Sequence, residues 1–125
     1  MIAAAEDKSS ELGIPMCIAV TDESGNLIAF SRMDGGKVSS ISIAIDKAFT
    51  ASAAKNPTEF YNEMCRPGSP TFGIHTSNEG HFSIIGGGLP VVSGAEIEEQ
   101  KEFQLKNMSL MTKSIHWLSL IYVWF

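Results

Sequence analysis

Cysteine is scarce in this 125-residue chain, and the two present, Cys17 and Cys65, stand in no CxxC or other metal-spaced pattern. That argues against zinc ribbons and iron–sulfur motifs, and reads instead as idle or buried thiols in a reducing cytosol. Basic residues are also few: nine Lys+Arg against fourteen Asp+Glu give a net charge of −5 and a pI of about 5.1. Nucleic acid is set aside, because phosphate binding needs a basic stripe. No apolar run approaches the roughly 20 residues of a membrane span, and Trp117 to Phe125 is the nearest. The opening MIAAAEDKSSELG lacks the basic start and apolar run of a signal peptide, so the expected location is cytoplasmic. Catalytic signatures are missing too. No serine sits in a G-x-S-x-G elbow, no acidic residue has an evident partner carboxylate, and the Gly86-Gly87-Gly88 run has no Lys-Ser/Thr to make a phosphate loop.

What the chain does contain is enough for one domain with its own core. Ile2, Ala5 and Leu12 among acids predict a first helix ending at Gly13. Met16 to Thr21 and Leu27 to Met33, joined by Asp22-Glu23-Ser24-Gly25-Asn26, predict a β-hairpin. Asp34-Gly35-Gly36 then turns into a long helix from Ser39 or Ser40, with a serine as N-cap. On that helix Ile41, Ile45, Ala48 and Ser52 share a face, and Asp46 and Lys47 fall off the main stripe. Asn56-Pro57-Thr58 breaks it and opens a short helix to Met64, capped by Thr58. Thr71 to Ser77 reads as weakly extended, His81 to Ile85 as a strand, and Leu89 to Val92 as another. The three glycines between those strands mark a bulge or a place of close approach. The order predicts an α+β fold, an antiparallel sheet with helices packed on one face.

Arg32 and Asp34, beside the predicted helix N-terminus, are the first candidate binding residues. Free N–H groups and the macrodipole there favour an anion, Gly35 and Gly36 permit close approach, and Lys47 on the same helix adds a second cation. The plain alternative is a set of weak surface ion pairs. His75 and His81 flank a turn, and across a hairpin they become candidate haem or metal ligands. As turn residues they would simply face solvent.

In series, R32-M33-D34-G35, S39-S40-I41 through D46-K47-A48-F49-T50-A51, N56-P57-T58, F72-G73-I74, N78-E79-G80 and I85-G86-G87-G88-L89-P90-V91 resemble the GlcG/HbpS-like family, the haem-binding-type domain also found at the C-terminal end of PduO proteins. The match runs from about Ala4 to Ile97. It implies a sheet of about five antiparallel strands flanked by helices, a symmetric homo-oligomer, and in some members haem or a link to corrinoid metabolism. It assigns neither His75 nor His81 as a ligand. Residues 1–100 thus form the family-like domain. The tail 101–125, KEFQLKNMSLMTKSIHWLSLIYVWF, lacks the family's closing motifs and is expected to complete the sheet or make an oligomer contact.

Three functions follow as expectations. The first is a homo-oligomeric binding protein for haem or a related tetrapyrrole, using His75, His81, Arg32, Asp34, Lys47, Gly35 and Gly36. The second is an enzyme or accessory protein for a small carboxylated metabolite or a corrinoid, in glycolate, glycerol or propanediol utilisation. The third is an assembly module with no small ligand.

Overall fold

The structure, a computed structural model, describes residues 1–91 and 119–123. In order the chain forms α1 (Ile2–Leu12), β1 (Cys17–Thr21), β2 (Leu27–Arg32), α2 (Ser40–Ala54), α3 (Thr58–Met64), two 3-10 turns (Ile74–Thr76 and Asn78–Gly80), β3 (Gly88–Pro90) and β4 (Ser119–Val123). The fold is α+β, as the sequence pattern predicts.

β1 is the centre of the molecule, and every residue from Cys17 to Thr21 is buried. Its alternation explains why. Cys17 and Ala19 face α2 and pack on Ala44, Ala48 and Ala51. Met16 and Ile18 point the other way, towards α1, and pack on Ala5 with Ile2, Leu12 and Met33 around them. Helices therefore cover both faces of β1, not one. A strand apolar on both sides must be covered twice.

The hairpin forms as expected, with β1 antiparallel to β2 and a register shift at Val20/Thr21. Its turn is tied by the Asp22 carboxylate, which accepts from the Ser24 and Asn26 N–H groups at 2.9 and 2.8 Å and from Asn26 Nδ2 at 3.0 Å. The Asn26 bonds, above all, hold that carboxyl below its ordinary range. Elsewhere the sheet differs from the expectation. Four strands are described, in the order β2-β1-β4-β3, and β4 runs parallel to both of its neighbours. Residues 119–123 of the C-terminal tail thus lie inside the sheet, while residues 101–118 fall outside the described residues. Among the described strands Pro90 lies in one at the edge of the sheet, where proline is tolerated.

The stretch after α3 corrects two further expectations. Neither Thr71–Ser77 nor His81–Ile85 forms a strand. The backbone is left-handed at Gly73, Asn78, Glu79 and Gly80, which interrupts any ladder before it starts. Threonine hydroxyls take over instead. Thr50 Oγ1 accepts from the Ser83 N–H at 2.8 Å, and Thr58 Oγ1 accepts from the Gly88 N–H at 2.9 Å and donates to Ile85 O at 2.7 Å. Thr58 is therefore a buried tie and not a helix cap; α3 has no side-chain cap bond. The expected close approach at the glycines is real. A Cβ on Gly88 would stand 2.6 Å from Thr58 Cγ2 and 2.8 Å from Lys47 O, so only glycine lets β3 lie this near α2 and α3.

Candidate functional site

Arg32, Asp34, Gly35 and Gly36 make one tight turn between β2 and α2, closed by the Gly36 N–H donating to Met33 O at 2.8 Å. Gly35 has φ 86, and a Cβ on Gly36 would press on Met33 O at 2.9 Å. The Arg32 guanidinium folds back and donates from Nη1 to Gly36 O at 2.9 Å, so part of its hydrogen-bonding fork is already used. The helix start also differs from the expected capped end. Ser39 is already helical, with φ −62 and ψ −23, and makes no side-chain cap bond. The Ser40 and Ile41 N–H groups donate to the carbonyls of Lys37 and Val38 at 3.0 and 3.2 Å. Those donors are no longer available to an anion.

Lys47 does not join this turn. It lies seven residues into α2, about 10 Å along the axis from Ser40 at about 1.5 Å per residue. Nor is it off the buried face: it is 1% exposed, because β1, β3 and β4 all pack on α2 and leave no solvent flank at that position. Burial alone pulls its amino group down from 10.5 to about 8. No polar side-chain atom among the described residues is both sealed and unbonded.

The two histidines are not placed across a hairpin, and each has its own partner. His81 Nδ1 lies 2.6 Å from Asp46 Oδ1. The Asp46 hydrogen bond and charge raise the imidazole above its usual value. Asp46 and Thr50 stand four apart on α2, and Thr50 Oγ1 comes within 3.2 Å of His81 O, so one helix face fixes both backbone and ring. His75, in the first 3-10 turn, places Nδ1 3.0 Å from the Sγ of Cys65 at the end of α3. Among the described residues no three His, Cys, Asp or Glu converge on one point, so each imidazole is a single-donor site.

Sequence reasoning did not foresee either partner. Asp46 and Thr50 had helical spacing as a signal, although nothing tied them to His81 before the 81–88 segment was seen to cross α2. Cys65 and His75 had no signal, since a loop with no periodic pattern carries one to the other.

Set beside known proteins, residues 1–97 match the family model described as haem degrading protein HbpS-like. The chain belongs to the HbpS-like family. An uncharacterised 15.0 kDa protein of the dhaT-dhaS intergenic region in Citrobacter freundii is 33% identical over 97 residues, which are 78% of this chain and 68% of that protein. The crystal structure of Klebsiella pneumoniae protein ORFY superposes with a TM-score of 0.72 at 29% identity, covering 91% of this chain and 86% of that one. A PduOC:heme complex shares the fold, with a TM-score of 0.68 at 22% identity and 86% of each chain covered. The resemblance read from the Arg-Met-Asp-Gly turn and the triple-glycine segment is thus the right one.

Proposed function

We propose that this HbpS-like protein binds haem or a related tetrapyrrole as a cytoplasmic homo-oligomer, with His81 as axial ligand. The observation that carries this is the His81–Asp46 contact. A ligating histidine usually gives its second ring nitrogen to a carboxylate or carbonyl, which fixes the tautomer and aims the other nitrogen outward. Here Nδ1 is engaged, and the His81 side chain is 59% exposed, leaving Nε2 for iron. The same stretch of chain exposes Phe72 and Ile85, the apolar surface a macrocycle needs. Arg32 supplies a guanidinium for a propionate, while Asp34, Gly35 and Gly36 shape the turn that presents it. His75 is the alternative ligand. The haem complex of the PduOC fold relative supports the ligand class.

Haemin titration tests the proposal. Wild-type protein is expected to develop a Soret band at one equivalent, with His81→Ala losing it and Asp46→Asn weakening affinity by about tenfold, as outer-shell changes do. Loss in His75→Ala alone would move the ligand to His75. No spectral change at equimolar haemin in wild type removes the proposal.

Lys47 favours a second reading, in which the protein serves a small carboxylated metabolite or a corrinoid as an enzyme or accessory protein. A buried amine is costly without a counter-charge, and a bound carboxylate would supply one. Thermal shift against such acids, with Lys47→Met as the control, separates this from haem binding. For assembly, β2 is an edge strand with Leu27 and Ile28 exposed, and unpaired edges invite pairing. Sizing the protein with and without residues after Gln100 tests whether the tail contributes. No helix among the described residues is long and apolar enough to cross a membrane.

A further inference from the structure

The chain has two cysteines, and their surroundings differ in one decisive respect. Cys17 is fully buried under α2, its Sγ facing the Lys37 carbonyl at 3.6 Å, and burial raises its thiol above the usual value. Among the described residues no imidazole hydrogen-bonds to it. Cys65, at the end of α3, is 7% exposed and meets the His75 ring at 3.0 Å from Sγ to Nδ1.

The pairing is held by local structure on both sides. The Cys65 N–H donates to Tyr61 O at 2.9 Å, which fixes the thiol at the last turn of α3. Thr71 Oγ1 donates to Met64 O at 2.6 Å and anchors the returning loop one residue away. The 3-10 turn carrying His75 is closed by Thr76 N–H and Thr76 Oγ1, both donating to Gly73 O at 2.9 and 2.8 Å. A thiol with a base in hydrogen-bond reach, and the base on an oriented turn, is the arrangement that activates a sulfur nucleophile.

We infer that Cys65 and His75 form a reactive thiol–imidazole pair whose co-reactant is a peroxide, hydrogen peroxide being the simplest. In the neutral tautomer protonated on Nε2, His75 Nδ1 takes the Cys65 proton. The thiolate attacks one peroxide oxygen, the O–O bond breaks, and the departing hydroxide takes the proton back from the imidazolium as water. Cys65 is oxidised to sulfenic acid, and the peroxide is reduced. Cys17 stays sealed in the core, so the sulfenic acid is not resolved within the chain and awaits an external thiol.

The inference does not need the haem proposal, whose first ligand is His81, and its readout at Cys65 is taken without haem. The test treats purified protein with hydrogen peroxide and dimedone, reads each cysteine by peptide mass, and follows iodoacetamide alkylation of Cys65 at pH 7. Expected are sulfenic acid at Cys65 and not at Cys17, and in His75→Gln a Cys65 alkylation rate about tenfold lower at pH 7. Circular dichroism of His75→Gln checks that the fold is kept, as an exposed position should allow. Three results would overturn the inference: no sulfenic acid at Cys65, a His75→Gln alkylation rate equal to that of wild type, or a faster rate in His75→Gln. The last would mean that the ring merely shields the sulfur.

Discussion

Met1 to Ala54 and Asn56 to Pro90 are held by different forces. In the first, regular elements close on small apolar side chains: Ala44, Ala48 and Ala51 against Cys17 and Ala19, and Ala5 against Met16 and Ile18. In the second, most of the backbone after α3 is irregular, and hydroxyls of Thr50, Thr58 and Thr71 stand in for the ladder a strand would have had. Burial is non-directional and sets a scaffold, whereas hydrogen bonds place individual atoms. Cys65, His75 and His81 all lie in the second region, and His81 leans on the first through Asp46 and Thr50.

Four substitutions sharpen that contrast. Ile18→Ala empties a fully buried site in the first region and is expected to cost about 4 kcal/mol of global stability in urea unfolding, with amide protection falling across all elements. An equal loss confined to residues 56–90 would contradict the division. Lys47→Met is expected to act in the opposite direction. A shift from 10.5 to about 8 corresponds to about 3 kcal/mol, at about 1.4 kcal/mol per pH unit, lost by burying the cation at pH 7. The folded-state value lies below the unfolded one, so between about 8 and 10.5 the unfolded chain holds a proton that the native state has released. Wild-type stability therefore rises with pH across that window, and Lys47→Met should start higher and stay flat. Parallel pH profiles for the two proteins would sink this.

Thr58→Val keeps the shape of the side chain and strands the Gly88 N–H and Ile85 O, at a cost of about 2 kcal/mol. Its effect on hydrogen exchange should be local, largest at Gly88, leaving β1 protected. The smallest effect belongs to Asp46→Asn. The His81 imidazole is raised in the folded protein, so its contribution is complete below the unfolded value near 6.5 and disappears as pH climbs through the folded one. Wild-type Tm should show a small decline over that interval and the variant none. NMR titration of His81, moving downward in the variant, checks the assignment directly.

Much of the first region was legible in the sequence. The helix ending at Gly13, the hairpin around Asp22 to Asn26, the turn at Gly35 and the start of α2 at Ser40 all follow from period, turn chemistry and glycine. Each is a local choice, decided within a few residues. His81 to Ile85 misled because its strand-like alternation was overridden by distant hydroxyls. Lys47 misled because a helical wheel assumes one wet side, and α2 has strands packed where that side would be. Of the candidate site, the residues were legible and their partners were not.

By itself, then, the sequence determined the family, the α+β class and the elements up to α3, because these rest on contacts between near neighbours and on motifs of fixed spacing. Only the tertiary structure decided that Lys47 is buried, that Asp46 orients His81 and that Cys65 meets His75. Those pairs are 35 and 10 residues apart along the chain. The segment that brings them together has no repeating pattern, and its path is set by three threonine hydroxyls and one glycine small enough to let β3 touch α2.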